Sequence, residues 1–273
     1  MKIDAHQHYW NPARGDYGWM PADDPVLARP YTPADLAPEL AAAGIGATVL
    51  VQAAPTTEET EYMFGIADAT PSVAAVVGWI DFEDSSQRAI LKRLAGHPKL
   101  RSLRPMIQDI PDPDWMLRDD IQWAFRAMQD LGLGFDALGF PTHLANFLAL
   151  RRRYPALPMV IDHGMKPEIR AHSERSFSHW AEGMSRLAET GAFVKLSGLV
   201  TEAAPGWTPE DLAPYVAHLF AAFGAERIMW GSDWPVCRLR ASYAGWLATA
   251  EALTPAAARA RVFGGTAAEF YRL

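Results

Sequence analysis

Met1-Lys2-Ile3-Asp4-Ala5-His6-Gln7-His8 decides the fold. A short apolar strand, Lys2 to Ala5, runs directly into two histidines. An open doubly wound sheet, the nearest alternative for a chain of alternating strands and helices, needs a glycine-rich phosphate loop after its first strand. None follows here. Seven further short aliphatic runs are bounded by turn residues, at Ala47 to Gln52, Val73 to Ile80, Leu100 to Arg104, Leu133 to Leu138, Met159 to Asp162, Ala192 to Leu196 and Arg227 to Gly231. Most are followed by a stretch with helical spacing.

Eight strand-helix units in 273 residues leave about 34 residues per unit, which suits an α/β fold of one single (β/α)8 TIM-type barrel of roughly 250 residues. Helix starts are signalled by Thr32-Pro33-Ala34-Asp35 and Thr208-Pro209-Glu210-Asp211, where a capping hydroxyl, a first-turn proline and an acid stand in order, and by Thr254-Pro255. Gly96, Gly132 and Gly224 mark expected left-handed helix ends. No linker or change of composition interrupts the chain, so residues 1–273 read as one domain.

The balance of 25 Lys+Arg against 32 Asp+Glu gives a net charge of −7 with no basic cluster, which excludes a nucleic-acid footprint. The single cysteine, Cys237, has no disulfide partner within the chain, and the first residues reach an acid and two histidines without an apolar leader. A cytoplasmic address is the expectation. The most apolar window, Leu40 to Ala54, is too short and too interrupted for the roughly 20 residues of a membrane span, so no membrane partner is expected. Helix-face patterns permit a monomer or a homodimer.

In such a barrel the C-terminal strand ends build the active site, and here they carry polar residues. The first ends in His6 and His8, the second in Gln52, the third in Trp79 and Asp81, the fourth in Arg104. The sixth ends in Asp162-His163, the seventh in Lys195 and Ser197, the eighth in Ser232-Asp233. Histidines at i and i+2 of a strand face the same side and can meet one cation. The first and eighth strands are neighbours in a closed barrel, so Asp233 is expected to face both. Imidazoles with a carboxylate suit a divalent ion, zinc foremost, and His163 is a further donor or a proton shuttle. Metal-activated or Asp233-activated water makes hydrolysis the natural reaction class.

These residues carry a resemblance. The His6-Gln7-His8 start, Val160-Ile161-Asp162-His163-Gly164, Gly231-Ser232-Asp233-Trp234-Pro235 and the closing Gly264-Gly265-Thr266-Ala267-Ala268-Glu269-Phe270-Tyr271 are similar to the amidohydrolase superfamily. Asp4-Ala5-His6-Gln7-His8-Tyr9-Trp10, Gly78-Trp79-Ile80-Asp81 and Lys195-Leu196-Ser197-Gly198-Leu199 resemble its sugar-lactonase branch. The resemblance implies a hydrolase that opens a 1,5- or 1,4-aldonolactone in sugar catabolism. It implies metal ligation by His6, His8 and Asp233, with Asp233 as general base and His163 as the later-strand histidine. The fifth strand carries no histidine or lysine, so the resemblance implies an incomplete ligand set. Two alternatives come with it, a 2-pyrone-4,6-dicarboxylate lactonase and a metal-dependent aromatic-acid decarboxylase.

Arg104 either polarises the substrate carbonyl or pairs with a buried carboxylate. Lys166 either reaches the substrate or sits on the rim. Trp79 and Trp234 either offer an apolar platform to a sugar ring or pack the barrel mouth. Asp4 and Asp162 are expected to point away from the barrel interior as structural residues. His143 is a reserve ligand, Glu202 a possible hydroxyl partner and Cys237 a structural thiol; His97, His172, His179 and His218 read as packed or exposed. The excursion Tyr9 to Tyr31 follows the first strand and is expected to lie over the active-site face as a lid or specificity loop.

Overall fold

The computed structural model describes residues 1–273. Its strands are β1 (Lys2–Gln7), β2 (Ile45–Val51), β3 (Val73–Gly78), β4 (Leu100–Leu103), β5 (Gly134–Ala137), β6 (Met159–Ile161), β7 (Phe193–Leu196) and β8 (Ile228–Trp230). All adjacent pairs are parallel, in the order β1 to β8. The ring closes just above β8, where His8 N donates to Trp234 O and Asp233 N donates to His6 O, both at 2.7 Å. The expected (β/α)8 barrel is therefore present, each strand ending within a few residues of its expected position.

Ten α-helices surround or follow the strands: α1 (Pro33–Ala43), α2 (Thr57–Ala69), α3 (Arg88–Leu94), α4 (Gln122–Asp130), α5 (Leu144–Arg153), α6 (Glu174–Glu189), α7 (Leu199–Glu202), α8 (Pro209–Phe223), α9 (Tyr243–Leu253) and α10 (Thr266–Tyr271). The capping signals hold at α1 and α8, where Thr32 N and Thr208 N donate to Asp35 Oδ2 and Asp211 Oδ2 at 2.8 and 2.7 Å. Thr254 instead ends α9, its hydroxyl donating to Ala250 O at 2.7 Å, and only a single 3₁₀ turn follows Pro255. Gly132 and Gly224 take positive φ as expected; Gly96 does not.

Alternation along the strands separates two apolar layers. Val49, Val51, Ala75 and Val77 belong to the barrel interior, while Leu50 and Val76 join the larger core under the helices. Ala267 and Tyr271 of α10 pack into the interior cluster and plug the floor of the barrel.

Strict alternation would place Asp4 on the same side as His6 and His8. A register shift in β1 between Asp4 and Gln7 breaks it. Asp4 turns outward as expected, accepting from Ser232 N at 2.8 Å and from Tyr243 Oη of α9 at 3.1 Å. His6 turns inward. The close approach of the two strands requires glycine at 231, since a Cβ there would stand 2.6 Å from His6 Cβ and 2.9 Å from His6 N. Overpacking a fixed backbone contact costs about 1–3 kcal/mol. Gly231→Ala is therefore expected to lower the melting temperature by several degrees and to reduce turnover by displacing His6. Unchanged melting and turnover would show that the closure is loose.

Candidate active site

The site stands on a buried layer of charge inside the barrel. Lys195 of β7 is fully buried, and its ammonium donates to Asp136 Oδ2 of β5 at 2.5 Å and pairs with Asp162 Oδ1 at 2.9 Å. Asp136 also accepts from Ser102 Oγ at 2.5 Å and Tyr271 Oη at 2.7 Å. Arg104, just past β4, pairs with Asp162 Oδ2 at 3.3 Å and donates its other amino group to Gln52 O. Burial alone would raise the Asp162 carboxyl, but Lys195, His6 and Arg104 hold it well below the ordinary carboxylate range.

Asp162 thus points into the barrel, against expectation. The expectation assumed that His163 continues the strand, which would force the two side chains to opposite faces. Instead His163 has φ 55°, and Gly164, Met165 and Lys166 continue in the left-handed region. Both side chains reach the interior. The run is held from outside by Trp180 Nε1, which donates to Gly164 O at 2.7 Å. His163 Nδ1 meets Ser197 Oγ at 2.9 Å, and a Cβ at Gly198 would come within 2.5 Å of the same nitrogen.

Above this layer stand His6, His8, His163 and Asp233, all buried. Asp233 also has a left-handed backbone, φ 56°. His8 Nε2 lies 3.3 Å from Asp233 Oδ1 and 3.2 Å from His6 Nε2, while His6 Nε2 lies 3.6 Å and His163 Nε2 3.9 Å from Asp233 Oδ1. Burial would raise the Asp233 carboxyl, but His163, His8 and His6 draw it well below its ordinary value. Burial pushes His163 down to about 4, against the pull of Asp233 and Asp162. At neutral pH the pair is a carboxylate beside a neutral imidazole.

A cavity of about 150 Å³ opens onto this cluster, lined by His8, Arg104, His163, Lys166 and Asp233 with Trp10 and Trp19 from the excursion after β1. Arg104 therefore pairs with a buried carboxylate and also faces the cavity. Lys166 reaches the wall, its ammonium 4.0 Å from Glu202 Oε1. Trp79 lines an adjoining chamber of about 600 Å³ that shares Trp19 and Met106 with the inner cavity. Trp234 lines neither. It points outward, where it packs edge-on against Tyr31 and Tyr9 at ring separations of 5.0 and 6.0 Å. His143 Nδ1 accepts from Phe140 N at 3.0 Å and does not reach the cavity. Cys237, in the turn after β8, is buried, and burial pushes its thiol up.

His6, His8 and Asp233 form one group able to hold a metal ion, and His6, Asp162 and His163 a second. The separations of 3.2, 3.3 and 3.6 Å in the first match those between neighbouring ligands of a tetrahedral ion with bonds of about 2.0–2.2 Å. His8 Nδ1 faces Val51 O at 2.8 Å, which leaves the lone pair on Nε2 toward the cluster. The donor set fits a divalent ion.

The fold and this cluster define the class. Residues 3–273 match the amidohydrolase family, and the chain belongs to it. A curated L-fucono-1,5-lactonase of Burkholderia ambifaria is 45% identical over 282 residues, spanning 100% of this chain and 96% of the relative. An L-fucono-1,5-lactonase of Burkholderia multivorans is 36% identical over 291 residues, with the same coverage. A crystal structure of a zinc-bound amidohydrolase from Burkholderia multivorans superposes with a TM-score of 0.93 at 34% identity, covering 100% of this chain and 99% of the other.

The excursion that supplies Trp10 and Trp19 is pinned at both ends. Trp10 and Tyr31 exchange backbone hydrogen bonds of 3.1 and 2.9 Å, and Trp19 Nε1 donates to Ala53 O at 2.6 Å. Its middle is clasped to α2, where the buried Glu59 accepts from Tyr17 Oη at 2.9 Å and Ala53 N at 3.2 Å, with Arg14 at 3.5 Å. Burial lifts this carboxyl from 4.5 to about 7. From pH 4.5 to 7 the unfolded chain releases the proton before the folded one does, so the group's contribution to stability falls as pH rises through that window. Glu59→Gln has no such proton. Its melting temperature relative to the parent is expected to climb from pH 5 to 7.5; a difference independent of pH would show that the carboxyl is ionised throughout.

Proposed function

We propose that the protein hydrolyses a neutral sugar lactone, L-fucono-1,5-lactone or a close stereochemical relative, to the aldonate. The observation that carries this reading is an ionised, buried Asp233 at the base of a cavity walled by Arg104, Lys166 and the neutral His163. The fuconolactonases at 45% and 36% identity support it over the whole chain. The cytoplasm is the proposed compartment; no helix is long and apolar enough to cross a membrane.

The lactone carbonyl lies toward Arg104 and the water toward Asp233. Asp233 takes a proton from the water as its oxygen attacks the carbonyl carbon. The negative charge that develops on the carbonyl oxygen is met by the guanidinium of Arg104. Collapse of this intermediate breaks the bond between carbonyl carbon and ring oxygen. The proton held by Asp233 passes through His163 to the ring oxygen, which leaves as a hydroxyl, and the new carboxylic acid releases one proton to solvent. Ser197 holds the His163 ring during this transfer. A zinc ion held by His6, His8 and Asp233 would lower the pKa of bound water and polarise the carbonyl.

A pyrone dicarboxylate would bring two carboxylates into the cavity. Only Arg104 and Lys166 line it as cations, and Asp162 already pairs with Arg104. The charge therefore favours a neutral substrate.

A pH-indicator assay over a panel of aldonolactones and a pyrone dicarboxylate tests the assignment. Proton release above the spontaneous rate is expected on L-fucono-1,5-lactone or a stereoisomer. Asp233→Asn is expected to lose about 10²–10⁴-fold in kcat, the scale of a general base, with the fold intact. Opening of every lactone at the background rate would overturn the proposal.

A further inference from the structure

The two histidines of β1 have opposite surroundings on the side away from Asp233. His8 Nδ1 faces a carbonyl, Val51 O, at 2.8 Å, the usual arrangement behind a metal-ligating imidazole. His6 Nδ1 faces the Lys195 ammonium at 3.1 Å. An ammonium has three donors and no lone pair. The Lys195 ammonium donates to Asp136 Oδ2 at 2.5 Å and lies 2.9 Å from Asp162 Oδ1 as an ion pair; His6 Nδ1 is its other hydrogen-bond partner. The nearest acceptor that an Nδ1–H could use instead is Asp162 Oδ1, farther away at 3.6 Å.

A short contact with an ammonium requires a lone pair on His6 Nδ1. The ring is then neutral, and its one proton sits on Nε2, pointing at His8 Nε2 3.2 Å away. Arg104 Nη1 lies 3.5 Å from His6 Nε2, but a neutral imidazole accepts through one nitrogen only, and the Lys195 contact is the shorter. A divalent ion needs the other tautomer, with the lone pair on Nε2.

We propose that Lys195 is a positioning residue that holds His6 in its Nε2–H form, making it a hydrogen-bond donor to His8 and setting the affinity of the His6, His8 and Asp233 group for a divalent ion. An ion enters this group only by forcing the proton to the nitrogen that faces the ammonium. The inference concerns the state of the cluster and is independent of which lactone the cavity accepts.

The direct test is made on the wild-type protein, labelled with ¹⁵N in its histidine rings and stripped of metal, with His6 assigned by the signals lost in His6→Gln. His6 is expected to show a bare Nδ1 and a protonated Nε2, and His8 the reverse. An Nδ1-protonated His6 would overturn the proposal. The second test titrates zinc against a chelating dye. Lys195→Met is expected to bind zinc at least about tenfold more tightly than wild type, the scale of a rear-partner effect on a metal histidine. Lys195→Met leaves Asp136 without a cation, so the same titration is run on Lys195→Met/Asp136→Asn, which removes one charge of each sign. Tighter zinc binding in this folded double variant supports the proposal, and equal or weaker binding counts against it.

Discussion

A lysine ammonium in the middle of a barrel has to be surrounded by anions, because an unpaired buried charge costs several kcal/mol. That constraint fixes most of the site. Lys195 on β7 draws Asp136 from β5 and Asp162 from the end of β6 to within 2.9 Å. The carboxylates then need their remaining lone pairs met: Asp136 by Ser102 of β4 and Tyr271 of α10, Asp162 by Arg104. Five elements are cross-linked through one polar layer. The last helix is thereby tied to the chemistry, since Tyr271 closes the barrel floor and holds a carboxylate of that layer at the same time.

On this layer the proposed catalytic groups are positioned in part by departures from regular strand geometry. A regular β1 would carry His6 to the outside with Asp4, and the register shift turns it in. A regular continuation of β6 would send His163 out, and a left-handed residue there turns it in; Asp233, also left-handed, stays on the inward side set by Met229. Such conformations cost of order 1–3 kcal/mol each and persist where the surroundings over-determine them. Those surroundings are visible. Trp180 holds the carbonyl of Gly164, Ser232 Oγ accepts from Trp234 N at 3.0 Å, and Asp4 anchors Ser232 N. The outer helices therefore hold the active-site turns in place through specific hydrogen bonds.

The same departures separate what is legible in the sequence from what is not. Period-two apolar runs and capping residues identify eight strands and their direction, and the polar residues at the strand ends identify the mouth of the barrel. His6, His8, His163, Asp233, Arg104 and Lys166 follow from that placement and do come together. Asp162 follows the wrong way, because it adjoins a left-handed residue and the reading assumes none, whereas Trp234 takes the packing alternative of its two readings. His and Asp are among the residue types enriched at positive φ, but most of them take ordinary conformations, so residue type alone does not announce it. The acid at 136 in an otherwise apolar β5 was a signal for a buried ion pair, and Lys195 in β7 was its counterpart. Their pairing depends on barrel register, which joins strands 59 residues apart.

The charge of the cavity follows from the same layer. Arg104 is committed on one side to Asp162, whereas Lys166 has the 4.0 Å contact with Glu202 and lies 5.5 Å from the centre of the Phe140 ring. The wall can thus meet one developing negative charge with a fixed guanidinium and one carboxylate with a loosely held ammonium. Asp233 adds a negative charge of its own at the base. A neutral lactone enters this arrangement without opposing it, and its opening places a new carboxylate near Asp233. Two anions in one buried cavity repel, and a neutral His163 adds no charge that would offset the repulsion. The electrostatics that activate water for attack on the lactone therefore also weaken the hold on the acid it becomes.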